Sequence, residues 1–255
     1  MSIGNSASNK VSLFVVGAQK SGTTALDFYL RQHPQICMAA RKEVHFFDNE
    51  KHFTGGRVDY STYHSFFKPG SLHTICGETT PAYMYWLAAP RRIWEYNPEA
   101  KLIVILRNPV ERAYSHWNMQ MQRGAESRTF WEAIHSERRR CRESLPLQNK
   151  PYSYIDRGFY TEQIRRLNHY FPDSRLLITK CEELREKPQE YMSKICRFLS
   201  IPSLENIVPV IRHENPYSSP MMEAERTYLQ GIFEYEIKQL ERMLGWDCSD
   251  WLSGS

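Results

Sequence analysis

Short apolar runs and helical periodicities alternate along the chain. Residues 11–17 (VSLFVVG) are a mostly apolar run closed by Gly17, the pattern of a parallel strand buried on both faces. Residues 24–33 carry helical spacing and stop at Pro34. A second short strand is predicted at 35–38, followed by a polar and aromatic loop over 41–48, and another strand at 72–77. Ala89–Tyr96 reads as a helix with Pro90 in its first turn, and Lys101–Leu106 (KLIVIL) is the clearest strand of all. Pro109 opens the helix that continues to about Gln122. Further on, 153–170 reads as a helix, 175–179 as a strand, Pro188–Leu199 as a helix, and 221–244 as a long amphipathic helix. The stretch 124–151 is charged and poorly periodic apart from a helix near 130–137, and is expected to be a mobile insertion.

Strand and helix in alternation predict an α/β fold: one domain over 11–255 after a flexible N-terminus at 1–10, with a parallel sheet covered on both faces. In such a sheet ligands bind beyond the carboxyl ends of the strands. The turns after Gly17 and after Leu106 both leave such ends.

Composition adds little that competes. Of 255 residues 41% are hydrophobic, enough for a large core, and the net charge of +4 is too small to argue for nucleic acid. The six cysteines include no CxxC pair and read as reduced thiols. No metal-site spacing appears; His73 and Cys76 come nearest. Without an apolar leader in the first ten residues, or a run near the roughly 18 apolar residues of a membrane helix, the chain is expected to be soluble and cytoplasmic. The long final helix is a candidate dimer face.

The first turn, Gly17-Ala18-Gln19-Lys20-Ser21-Gly22-Thr23-Thr24, joins a strand to a helix, where outward amides and the helix N-terminus favour an anion. Its glycines have the spacing of a nucleotide P-loop, G-x-x-x-x-G-K-[ST], but Thr23 stands where the lysine belongs, and Lys20 sits inside the loop instead. A lysine there projects beside the first phosphate and whatever is attached to it. A phosphosulfate, less charged around its bridge than a triphosphate, can be held this way without magnesium. In the second turn, Arg107-Asn108-Pro109-Val110-Glu111-Arg112-Ala113-Tyr114-Ser115, a guanidinium and a hydroxyl eight residues apart can grip one phosphate from two sides.

Together AQKSGTTAL and LRNPVERAYSHW resemble the 5′-phosphosulfate and 3′-phosphate motifs of sulfotransferases that use 3′-phosphoadenosine-5′-phosphosulfate (PAPS). The resemblance is closest to the heparan sulfate N- and O-sulfotransferase branch and its bacterial relatives. Lys42-Glu43-Val44-His45-Phe46-Phe47, Gly77-Glu78-Thr79-Thr80-Pro81-Ala82-Tyr83 and Arg157-Gly158-Phe159-Tyr160 agree, so the likeness runs from about Ser12 to Leu199. It implies a P-loop-nucleotide-kinase-like sulfotransferase fold with PAPS as donor, 3′,5′-ADP as product and no metal. By position, Lys20, Ser21, Gly22, Thr23 and Thr24 match the segment holding the 5′-phosphate and sulfuryl group, and Arg107 with Ser115 the pair holding the 3′-phosphate. Glu43 matches the family's base, with Lys42 and His45 beside it; His45 is the alternative base. Arg157 and Gly158 match the completion of the adenosine pocket.

Two positions depart from the heparan pattern. Thr79 stands where those enzymes usually carry lysine, and Arg212-His213-Glu214-Asn215 stands where they carry a basic, glycine-containing loop, so that Arg212 is the candidate for its work. The acceptor is left open between a carbohydrate and a small molecule, through a hydroxyl or an amine. Trp86, Trp94, Trp117 and Trp131 read as packing, with one a candidate adenine stack. Arg138, Arg139, Arg140 and Arg142 read as a solvated face or a contact for an anionic acceptor. The competing functions are a P-loop kinase or NTPase, which needs magnesium ligands and a lysine after Gly22, and a non-catalytic nucleotide-binding module.

Overall fold

A computed structural model describes residues 10–209 and 219–252. Residues 1–9 and Arg212, on which two sequence expectations fall, lie outside the described residues. In chain order the elements are β1 (Leu13–Gly17), α1 (Thr23–Leu30), β2 (Ile36–Met38), α2 (Ser61–His64), β3 (Ile75–Thr79), α3 (Ala89–Tyr96), β4 (Lys101–Leu106), α4 (Pro109–Gln122), α5 (Phe130–Glu143), α6 (Tyr160–Tyr170), β5 (Leu176–Lys180), α7 (Cys181–Glu186), α8 (Pro188–Leu199), α9 (Glu223–Leu244) and α10 (Ser249–Leu252). The five strands form one parallel sheet in the order β2-β3-β1-β4-β5.

Alternation along the central strands explains why they read as continuous apolar runs. Phe14 and Val16 of β1, with Leu102, Val104 and Leu106 of β4, enter a core shared with Ile93, Val110, Ile164, Phe233 and Ile237. Leu13, Val15, Ile103 and Ile105 point the other way, into a second core with Leu26, Leu30, Met192 and Ile195. Each residue step along a strand flips the side chain to the opposite face, so a sheet covered on both sides is apolar at every position. The chain leaves β1 towards β2 and β3 on one side and returns to β4 on the other. The crevice beyond the carboxyl ends at this reversal is where an open α/β sheet takes its ligand.

Three stretches differ from the sequence reading. β3 begins three residues later than expected and extends through Glu78 and Thr79, polar residues that are nonetheless fully buried. The helix expected over 153–170 is interrupted: Asp156–Gly158 is a single 3-10 turn, and α6 starts only at Tyr160. The segment 124–151 is a packed part of the domain. Thr129 and Glu132 form a reciprocal cap on α5, and Phe130, Ala133 and Ile134 join the core. Arg140 is buried there against Glu126 rather than facing solvent with its neighbours. Polar residues turned inward at Glu137 and Arg140 spoil the apolar periodicity of this helix.

Candidate active site

The first turn is built around a lack of room. A Cβ on Gly17 would lie 2.6 Å from the sulfur of Met84, so only glycine lets the strand end pass. Ala18 N donates to Ile105 O at 2.7 Å and Ser21 N to Ala18 O at 3.2 Å, which folds the loop back over the end of β4. Gly22 (φ 94°) caps α1 in the left-handed region. Lys20 takes the same region with φ 69°, a conformation that costs a side-chain-bearing residue about 1–2 kcal/mol. Ser21 and Thr23 are buried beside it.

The two predicted turns meet. Arg107 Nη1 donates to Lys20 O at 3.3 Å, and its Nη2 lies 3.8 Å from Glu111, which is held in turn by Arg226 at 2.7 Å. The Tyr160 hydroxyl donates to Arg107 O at 2.9 Å and pins the strand end. Burial pulls the Lys20 ammonium below its ordinary pKa, and the positive charges of Arg107, Arg123 and Lys42 pull the same way; Glu43 alone among its main neighbours opposes them. The crevice therefore collects positive charge. Ser115 lies on the buried face of α4 two turns beyond Arg107.

The loop after β2 carries the acid. Glu43 N donates to Thr79 O at 2.9 Å, anchoring the loop to the end of β3. Glu43 (φ 59°) and His45 (φ 56°) are both left-handed, so three of the four non-glycine residues with positive φ among those described, Lys20 included, belong to the predicted site. Strain of this kind persists where surrounding structure imposes it, and it clusters at functional sites. Lys42 Nζ lies 2.6 Å from Glu43 Oε1, and His45 Nε2 lies 3.5 Å from Oε2. On its far side, His45 Nδ1 lies 2.9 Å from Asp48 Oδ2, which Lys150 also meets at 2.9 Å. Lys150 rests over the Trp86 ring, 4.4 Å from its centre.

This chain of alternating charge sets the protonation states. The hydrogen bond from His45, with the positive charge of Lys42 behind it, holds Glu43 down to about 2 against the opposing effect of burial. Hydrogen bonds to Asp48 and then Glu43 push His45 up to about 9. Burial would raise Asp48, but His45 and Lys150 together bring it below its ordinary value. At neutral pH Glu43 is a carboxylate beside an imidazolium. An imidazolium has no ring lone pair free to accept a proton, whereas a carboxylate does, so of the two predicted bases the structure presents Glu43 in the competent form.

Arg157 is buried beneath this arm. Its Nε donates to Ser153 Oγ at 2.9 Å, its Nη2 to Lys150 O at 3.0 Å, and its guanidinium lies 4.4 Å from the centre of the Tyr85 ring. Burial lowers it to about 10. Gly158 is required by packing, because a Cβ there would meet Phe233 at 2.6 Å and Pro109 at 3.1 Å. Of the four tryptophans read as packing, Trp86 and Trp117 are buried, whereas Trp94 and Trp131 are exposed. Two residues of the site, Asp48 and Lys150, escape the sequence reading. Asp48 has a local signal, three residues after His45; Lys150 comes from 102 residues further along and has none. Among the described residues no group of three or more His, Cys, Asp and Glu side chains is arranged to hold a metal ion, and no helix is long and apolar enough to cross a membrane.

Comparison with known proteins gives a consistent answer. The profile of the sulfotransferase domain matches residues 10–242. The bifunctional heparan sulfate N-deacetylase/N-sulfotransferase 2 of Homo sapiens is 31% identical over 211 residues, which is 79% of this chain and 23% of that protein. The heparan sulfate glucosamine 3-O-sulfotransferase 5 of Mus musculus is 28% identical over 212 residues, 78% of this chain and 59% of that protein. The chain thus spans about a quarter and about three fifths of these two relatives. Among solved structures, a sulfotransferase from Alicyclobacillus acidocaldarius superposes with a TM-score of 0.82 at 26% identity, covering 96% of this chain and 99% of that one. A mouse sulfotransferase complexed with PAP has a TM-score of 0.56 at 14% identity, covering 92% and 86%, and shares the fold.

Proposed function

The chain belongs to the sulfotransferase family, and from that premise we propose that it moves a sulfuryl group from PAPS to a hydroxyl or amine of a carbohydrate or small-molecule acceptor, in line, without a metal, and with Glu43 as general base. The observation that carries this reading is the meeting of the Lys20 and Arg107 turns at one rim of the sheet, with Glu43 the one acid among the main charges acting on Lys20. Amides and hydroxyls of Ser21 to Thr24, with Lys20, would hold the 5′-phosphosulfate; Arg107 and Ser115 would hold the 3′-phosphate. Arg157 and Gly158 would complete the adenosine pocket: Arg157 braces Ser153 and the Lys150 carbonyl through Nε and Nη2, and its buried Nη1 has no hydrogen-bond partner among the described residues.

In the reaction the acceptor oxygen or nitrogen forms a bond to sulfur while the bridge between sulfur and the 5′-phosphate oxygen breaks. The bridge electron pair stays on the phosphate of 3′,5′-ADP, where Lys20 and the loop amides meet the growing charge. The acceptor proton passes to Glu43. A carboxylate held near 2 has little affinity for a proton at rest, so the transfer comes late, once bonding to sulfur has made the acceptor proton acidic. Lys42 and His45, both in contact with Glu43, keep its oxygens directed.

The relatives named for heparan sulfate make an N-deacetylated heparan-type polysaccharide the first acceptor to try, with 4-nitrophenol as the small-molecule arm. Purified protein is incubated with PAPS carrying radiolabelled sulfate and each acceptor, with EDTA present. Label in an acceptor, matched by release of 3′,5′-ADP, supports the proposal. Calorimetry separates the alternatives: a preference for ATP–magnesium over 3′,5′-ADP indicates a kinase or NTPase. Donor binding without product across the acceptor pools indicates a non-catalytic module.

A further inference from the structure

Directly beneath the base-bearing loop lies a carboxylate that the mechanism above does not use. Glu78, near the end of β3, is fully buried and has no ion pair among the described residues. Among the described residues its hydrogen bonds come from hydroxyls alone. Tyr63 OH donates to Oε1 at 2.7 Å, Thr80 Oγ1 donates to Oε2 at 2.7 Å, and Tyr83 OH lies 3.3 Å from both oxygens. An ionised carboxylate is costly to bury without a cation, so its place at this strand end calls for a reason.

Tyr83 supplies it. The Tyr83 hydroxyl also accepts from the amides of Phe46 at 3.0 Å and Phe47 at 3.4 Å. A phenol has one hydrogen to donate and lone pairs to accept. With its lone pairs given to two loop amides, that hydrogen must go to an acceptor, and a carboxylate is the side chain that can only accept. Glu78 thereby orients the phenol so that it receives the loop. Phe46 and Phe47 lie between the left-handed pair Glu43 and His45 and the Asp48 that pairs with His45. We propose that Glu78 is a positioning residue: acting through the Tyr83 hydroxyl, it clamps the backbone of the 43–48 loop and so holds Glu43 in place. The idea rests on the reading of Glu43 as base, and deepens it.

The clamp is sensitive to protons. Burial pushes Glu78 up to about 7, partly countered by the three hydroxyls, with the negative charge of Asp48 adding to the rise. Facing it are Tyr63 from α2, Thr80 and Tyr83 after β3, Asp48 from the loop and, through Tyr63, Tyr96 from α3. All three tyrosines are raised above their ordinary values, and Asp48 is lowered below its own. A protonated Glu78 becomes a donor, competes for a phenol oxygen, and releases a loop amide.

The test is amide exchange at Phe46 and Phe47, read residue by residue by NMR between pH 5.5 and 8.5, with Ile103 of β4 as the internal reference. Protection at Phe46 and Phe47 should fall about tenfold on acidification, with a midpoint near 7, the effect of one lost hydrogen bond. Global stability moves the other way. Two buried acids raised to about 7, Glu78 and Glu137, favour the folded state increasingly as pH drops from 7 towards 4.5. Tyr83→Phe keeps Glu78 bonded to Tyr63 and Thr80 but removes the link. It should show the low-protection value at every pH and lower the rate of 3′,5′-ADP release from PAPS with acceptor, leaving 3′,5′-ADP affinity within twofold. Glu78→Gln should match it. Wild-type protection without a midpoint, or Tyr83→Phe within twofold of wild type at pH 8.5, overturns the clamp. Loss of protection with turnover unchanged also overturns the positioning role, because Glu43 N stays bonded to Thr79 O; a Glu43→Gln variant with normal turnover is the separate result that removes Glu43 as base.

Discussion

Replacing Glu43 by glutamine removes the proposed proton acceptor while keeping the shape of the side chain. Base catalysis of this kind is typically worth about 10²–10⁴-fold, so kcat should fall by that factor, about 3–6 kcal/mol in barrier. The donor site should respond in the opposite sense. Glu43 is the negative charge that partly opposes the cations around Lys20, and removing it leaves the crevice more positive, so 3′,5′-ADP should bind as tightly as before or more tightly. Stability should drop slightly. Glu43 lies at about 2 against an ordinary 4.5, nominally about 3 kcal/mol at about 1.4 kcal/mol per tenfold, but a pair this accessible to solvent retains about 1 kcal/mol. The sign follows from the lowered pKa: the contribution is present above pH 4.5 and vanishes as pH falls through 2, so the loss appears at neutral pH and not in strong acid. Single-turnover transfer of labelled sulfate, calorimetry with 3′,5′-ADP and denaturant melts at pH 7 measure the three quantities. A variant within threefold of wild-type turnover, or one that binds 3′,5′-ADP more than tenfold weaker, refutes the reasoning.

Other outcomes are equally specific. Asp48→Asn removes the first cause of the raised His45, so its NMR titration midpoint should move from about 9 towards 6.5; an unmoved midpoint contradicts the arrangement. His45 in the wild-type chain should stabilise the fold fully below pH 6.5 and lose that effect as pH rises through 9. Lys20→Gly relieves a left-handed side-chain-bearing residue while removing a cation, so melts should show a gain of about 1 kcal/mol. Affinity for 3′,5′-ADP should fall about tenfold to a hundredfold in the same variant; a parallel loss of both would show Lys20 to be structural. Gly158→Ala puts a Cβ 2.6 Å from a fully buried Phe233 ring and should destabilise by about 1–3 kcal/mol in denaturant melts.

The parts of this molecule that can be read from its sequence are those whose physics is local. KLIVIL is apolar at every position after its first because both faces of β4 are covered, and its bounds match the strand. The glycines of the first turn announce backbone that side chains cannot follow, and Gly17 and Gly22 do sit at a close approach and a positive φ. Legibility ends where partners come from far along the chain. Lys150 meets Asp48 across 102 residues of chain, and Glu78 looks like the polar end of a strand until Tyr63 and Tyr83 are seen to close over it. The 124–151 stretch misleads for the same reason: Arg140 and Glu126 neutralise each other inside the domain, so a charged segment need not be a solvated one. Glycine has more than one use, and at Gly158 the family motif coincides with a packing requirement set by α9.

The central claim is that both turns grip one doubly phosphorylated adenosine, and a crystal of the chain grown with 3′,5′-ADP addresses it directly. The account predicts the 5′-phosphate within hydrogen-bonding reach of Lys20 and the amides of Ser21 to Thr24, and the 3′-phosphate on Arg107 and Ser115. Nucleotide density elsewhere, with the first turn empty or the Arg107 guanidinium still turned to Glu111, would contradict it.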